Sequence, residues 1–113
     1  MISRAEPKPL KLEYAKAARE DLDDIATYYV AHEAWVAALD VPSRIIEAAK
    51  LLREAPKAWP IGVSGYRERI LSDLPFRIVY ELLPDEEYPR TVRVLAIKHT
   101  AQQWPLREPR EQS

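Results

Sequence analysis

GYRERILSDLPFRIVYELL, residues 65 to 83, is the stretch on which the reading of the whole chain turns. Two strand-like runs alternate apolar and charged residues on either side of a short turn at Ser72 to Pro75. Successive side chains on a strand point to opposite faces, so Arg67 and Arg69 share one face of the first run and Tyr66, Glu68 and Ile70 the other. In the second run Phe76, Ile78, Tyr80 and Leu82 form an apolar face, which leaves Arg77, Val79 and Glu81 opposite. The expectation is a hairpin that gathers Arg67, Arg69 and Arg77 on a common cationic face, backed by an aromatic and aliphatic layer.

Outward from this stretch the pattern changes period. Upstream, PKAWPIGVSG (residues 56 to 65) holds two prolines and both glycines of the chain, so it reads as the loop joining a helical half to a strand half. Val41, Ile45, Ala48, Leu52 and Ala55 recur at helical spacing up to Pro56. Proline is tolerated in a first helical turn, so this second helix is placed from Asp40 as N-cap, with Pro42 just inside. The alternative is a kinked helix from about Glu33, because Ala34 and Ala38 extend the same stripe backwards. A first helix over residues 16 to 31 follows from the stripe Ala15, Ala18, Leu22, Ile25, Ala26 and Tyr29. Its acidic side, with Glu20, Asp21, Asp23 and Asp24, reads as a solvated face. LKLEYA (residues 10 to 15) alternates like a short strand.

Downstream, TVRVLAIKH (residues 91 to 99) reads as a strand buried on much of both faces. The expected order is strand, helix, helix, strand, strand, strand. That is an α+β domain with a small, mainly antiparallel sheet and two helices packed on one face. Residues 1 to 9 are expected to be a flexible arm, residues 10 to 105 one domain, and residues 106 to 113 a polar tail.

Composition narrows the chemistry. With 113 residues and a formal charge of -1, the chain suits a single domain and does not bind polyanions by bulk charge. Charge distribution matters more. Residues 66–83 and 90–99 hold six basic side chains against three acidic ones. The chain has no cysteine, and its two histidines, His32 and His99, lack metal-ligand spacing, so neither a metal nor another cofactor is expected. No apolar run approaches a membrane span, and the reading is of a cytoplasmic protein.

GYRERIL followed by PFRIVYEL, then VRVLAIKH with an aromatic tail, behind AKAAREDLDDIATYYV and a helix ending LLREAP, resembles the RelE/ParE superfamily of type II toxin–antitoxin toxins. The resemblance spans about Leu10 to Pro105. Its most specific parts are Tyr66-Arg67, the set Arg77 to Tyr80, and His99 closing the last strand. It implies a toxin that arrests growth, stabilises plasmids and is neutralised by a cognate antitoxin. RelE-like members cut messenger RNA on the ribosome, whereas ParE-like members bind and block DNA gyrase.

For the RelE reaction, a ribose 2′-hydroxyl attacks the neighbouring phosphate, which needs a base, an acid and cations for the developing charge. The resemblance assigns those roles to Arg67, Arg69, Arg77 and His99, as a metal-independent endoribonuclease. Against this, the run after the last strand, Thr100 to Trp104, offers no general acid, and the chain is not basic overall. The ParE-like branch is therefore favoured. On that reading Tyr66, Tyr80, Arg93, Lys98 and Trp104 are the candidates for meeting gyrase or the antitoxin. Each has a plainer reading: alternating arginines as the solvated side of a strand, His99 as a hydrogen-bonded strand end, Tyr66 and Tyr80 as core or interface aromatics. A third possibility is a non-toxic module that pairs with its antitoxin or with itself as a homo-oligomer.

Overall fold

The computed structural model describes residues 9 to 100. The expected polar tail, Trp104 and all but the last residue of the arm lie outside the described residues. Six elements follow in the anticipated order: β1 (Lys11–Tyr14), α1 (Lys16–Ala31), α2 (Trp35–Leu51), β2 (Arg67–Ile70), β3 (Phe76–Leu83) and β4 (Thr91–His99).

The apolar stripe of α1 faces inward, with Ala18 and Ile25 buried and Leu22 and Tyr29 packed against the core. The helix ends where Glu33 takes φ 59°, a left-handed conformation. There Ala34 N donates to Tyr29 O (2.8 Å) and Glu33 N to Val30 O (2.9 Å), the pattern of a Schellman turn. That turn reverses the chain straight into α2.

The second helix departs from its expected start. It begins at Trp35, close to the alternative start near Glu33 rather than at Asp40, and runs through Pro42. Proline in a helix interior costs about 3 kcal/mol, because it removes one backbone bond and crowds the preceding turn. The extra turns bury Ala38, and this packing outweighs the propensity penalty. Ser43 Oγ also donates to Leu39 O (2.9 Å), beside the proline. At its far end the helix stops at Leu51, before the expected Pro56, although Leu52 is still buried.

The four strands form one sheet in the order β1-β4-β3-β2. Strand β1 runs parallel to β4, and the two remaining pairings are antiparallel. The face toward the helices carries Ile78, Tyr80 and Leu82 from β3 and Val92, Val94 and Ile97 from β4. These meet Ala18, Ile25, Val41, Ile45, Ala49 and Leu52 in a single core. The β3–β4 ladder pairs Val79 with Ala96 but Tyr80 with Val94, so Leu95 is an extra residue on β4. This bulge shifts the pleat, and both Val94 and Ile97 face the core.

The outer edge of β2 is closed by the preceding loop. Glu68 N donates to Pro60 O (3.1 Å), and Gly62 N donates to Tyr66 O (2.8 Å). A bare strand edge is thereby replaced by paired backbone.

Candidate functional site

The hairpin register separates the three arginines. Arg67 pairs with Tyr80 and Arg69 with Ile78, so both guanidinium groups lie on the helix side of the sheet. Arg77 pairs with Ile70 and lies on the far side. The expectation of one cationic face is overturned. The reason is the position of β2 at the sheet edge: its inward face meets backbone carbonyls rather than apolar side chains, and long donors suit that site.

Arg67 acts as a clip. Its Nη1 donates to Trp59 O (2.6 Å) and Lys57 O (3.3 Å), while Nε and Nη2 reach the Glu86 carboxylate at 3.1 and 2.7 Å. One side chain thus ties β2 to the loops before and after the hairpin. The bond from Arg67 holds the Glu86 carboxyl below its usual range and raises the guanidinium in turn. Arg69 donates through Nη1 to Ala48 O (2.8 Å) in the last turn of α2, where helix carbonyls lack partners. Its guanidinium carbon sits 5.0 Å from the Trp59 ring centroid. Its Nε is buried with no hydrogen-bond partner among the described residues.

On the opposite face, Arg77 Nε lies 3.2 Å from Glu68 Oε1. Glu68 also accepts from Ser64 Oγ (2.7 Å) and Ser64 N (3.3 Å), so the carboxylate latches the turn at 62 to 65 onto the sheet. Arg77 Nη1 donates to His99 O (3.4 Å) and Thr100 O (3.3 Å).

The His99 ring lies on the helix side, edge-on to Phe76 with ring centroids 5.5 Å apart. It lines a cavity of about 490 Å³ between α1 and the end of β4, together with Asp21, Asp24, Tyr28, Phe76 and Lys98. The Asp21 carboxylate accepts from Ile97 N (2.9 Å), capping a backbone donor of β4 beyond the reach of the short β1. Burial raises the Asp21 carboxyl, and the Ile97 bond and the Lys98 charge partly offset that. Asp21 is therefore no part of a merely solvated acidic face. Its position three residues after Ala18 and four before Ile25, on the buried side of α1, was the signal that marked it out.

The remaining candidates are dispersed. Tyr80 is enclosed in the core, its hydroxyl donating to Pro56 O (2.6 Å); burial pushes that phenol up to about 12. Tyr66 is exposed just before β2. Arg93 stands in the ladder between Glu13 and Glu81, a cross-strand row of alternating charge. Lys98 pairs in register with Arg77. Among the described residues no group of three His, Asp or Glu side chains is placed to hold a metal ion, and no helix is long and apolar enough to cross a membrane.

Residues 12–104 match the sequence profile of the ParE toxin of type II toxin–antitoxin systems, parDE. The chain belongs to the ParE toxin family. A curated relative from Sinorhizobium fredii, named as a toxin, Y4kP, is 31% identical over 96 residues, covering 84% of this chain and 93% of the relative. A solved structure of the chromosomal ParDE toxin–antitoxin system from P. aeruginosa superposes with a TM-score of 0.67 at 25% identity, covering 80% of this chain and 95% of that one. This ParE toxin thus has the family's fold. Within it the arginines that an RNase site would bring together are divided between the two sides of the sheet.

Proposed function

We propose that this ParE toxin acts by binding DNA gyrase in the cytoplasm, and that a cognate antitoxin of the same toxin–antitoxin system neutralises it. The observation that supports this reading is the disposition of Arg67, Arg69, Arg77 and His99. Stabilising a pentacovalent phosphate requires several donors converging on one point. Here Arg67 and Arg69 donate into loop and helix carbonyls on one face, Arg77 engages Glu68 on the other, and the His99 ring rests on Phe76. A guanidinium already engaged with buried acceptors cannot turn toward a phosphate without leaving those acceptors unpaired, at about 1–3 kcal/mol each. Inhibition by binding makes no such demand. It needs only an exposed surface of the right shape.

Supercoiling by purified gyrase, run beside primer extension on translated messages, tests the reading. Loss of supercoiling with intact transcripts supports it. Cut transcripts with normal supercoiling would replace it with the RelE-like endoribonuclease. Absence of growth arrest on induction would leave a non-toxic binding module.

A further inference from the structure

An uncovered strand edge is a template on which a foreign strand can pair, and folded proteins close such edges. In this sheet β2 is closed by the loop before it, while the short β1 carries exposed Lys11 and Glu13, with Arg19 Nη1 donating to Tyr14 O at 2.7 Å. The third edge belongs to β4. Strand β1 pairs only with Thr91 to Val94, and the last bond on that side runs from Ala15 N to Val94 O (2.9 Å) before the chain turns into α1. Among the described residues, no strand pairs with Leu95 to His99 on the side away from β3. Ile97 N points out from this uncovered half and donates to Asp21 Oδ2 at 2.9 Å.

We propose that Asp21 is an edge guard: its carboxylate holds the position that a carbonyl of a fifth strand would take, and so keeps the second half of β4 from pairing with a foreign strand. The geometry of helix and strand delivers it there. From Ala15 to Asp21 is six residues, about 9 Å of helical rise, and from Val94 to Ile97 is three residues, about 10 Å of strand. Because α1 packs along β4, the carboxylate arrives level with the donor. An incoming strand would have to break a charge-assisted bond, about twice as strong as a neutral one. It would also bring its carbonyls up against two carboxylates, since Asp24, one turn further along α1, lines the same cavity. Lys98 and His99 line that cavity too, so the edge ends among charged and polar side chains, as guarded edges do. The role does not depend on whether gyrase is the target.

Hydrogen exchange at the Ile97 amide, read beside sedimentation equilibrium, tests the role. In dilute solution Asp21→Ala is expected to speed that exchange at least about tenfold, because the donor loses a charge-assisted partner. Alanine favours the helix, and circular dichroism verifies the fold. As Asp21→Ala is concentrated, its mean mass is expected to climb above that of the wild type at the same concentration, with protection returning at Ile97 as bare β4 edges pair. Asp21→Asn keeps an acceptor and should match the wild type in both readouts. Arg69→Ala is the control for lost stability alone, since its bond to Ala48 O joins β2 to α2, away from this edge. Association of Arg69→Ala as strong as that of Asp21→Ala would assign the effect to general destabilisation and refute the guard. Association of Asp21→Ala that leaves Ile97 unprotected does the same. Rapid exchange at Ile97 in the wild type overturns the proposal without any variant.

Discussion

Arg77 Nε and Glu68 Oε1 lie 3.2 Å apart with side chains only 8% and 11% exposed, forming an ion pair on the side of the sheet that the helices do not cover. Removing one partner of a buried pair leaves the other charge desolvated, at a cost of about 3–5 kcal/mol. Glu68→Ala is therefore expected to destabilise the fold by about 3 kcal/mol, read from urea unfolding midpoints at constant slope. Gly62→Ala should act through the same carboxylate. A Cβ at Gly62 would collide with the Glu68 carboxyl, which the ion pair and Ser64 hold in place.

Arg69 is expected to behave as a stability residue. Arg69→Ala removes the bond to Ala48 O and the contact with Trp59, and should cost about 2 kcal/mol. Any loss of toxicity should track the unfolded fraction and be recovered at lower temperature. A fully folded Arg69→Ala protein with no toxicity would refute this role.

The Asp21 carboxyl titrates above its ordinary value in the folded protein, chiefly through burial. Such a group binds its proton more tightly when folded, so its contribution is favourable below the unfolded pKa, about 3.9, and is lost as pH rises through the folded value. Glu86 works in the opposite sense, because Arg67 lowers it. Its contribution is present above the unfolded carboxylate pKa and fades as pH falls through the folded one. The difference between wild type and Asp21→Asn isolates the first effect, since asparagine can still accept from Ile97 N. Unfolding free energies across the acidic range should show Asp21→Asn gaining on the wild type as pH rises past the carboxylate range. Parallel profiles would contradict the assignment.

Glu33 occupies the left-handed position that ends α1, with φ 59°. A side chain there costs about 1–2 kcal/mol that glycine does not incur. Glu33→Gly should therefore raise stability by about 1 kcal/mol, part of the gain being offset by the greater freedom of an unfolded glycine. A thermal melt measures it.

Much of the architecture was legible before any coordinates. The stripe from Ala18 to Tyr29 placed α1 at its observed limits, and the alternation from Phe76 to Leu82 identified the core face of β3. The start of α2 was legible from Ala34 and Ala38, which extend the stripe backwards, but not from Pro42, because the local cost of a proline says nothing about the tertiary burial of Ala38 that overrides it. The arginines were hidden for another reason. Parity along β2 correctly put Arg67 and Arg69 together, but only the register of the hairpin decides which side that is. The one apolar residue of β2, Ile70, is exposed, so the strand carries no hydrophobic face from which to read the answer. His99 was found at the strand end as expected, yet its neighbours Asp21 and Tyr28 come from a helix about seventy residues away, beyond any local pattern.

The extra residue at Leu95 acts as slack in the ladder. Were it drawn into regular pairing with β3, every position after it would exchange sides: Ile97 would turn away from the core, Lys98 would slide beneath Phe76, and the imidazole would swing to the same side as Arg77. Conversely, a chain shortened by that single residue keeps the present orientation. The distance between this protein and one that sets a histidine beside that arginine is therefore a matter of strand bookkeeping at one position, with no new side chain required.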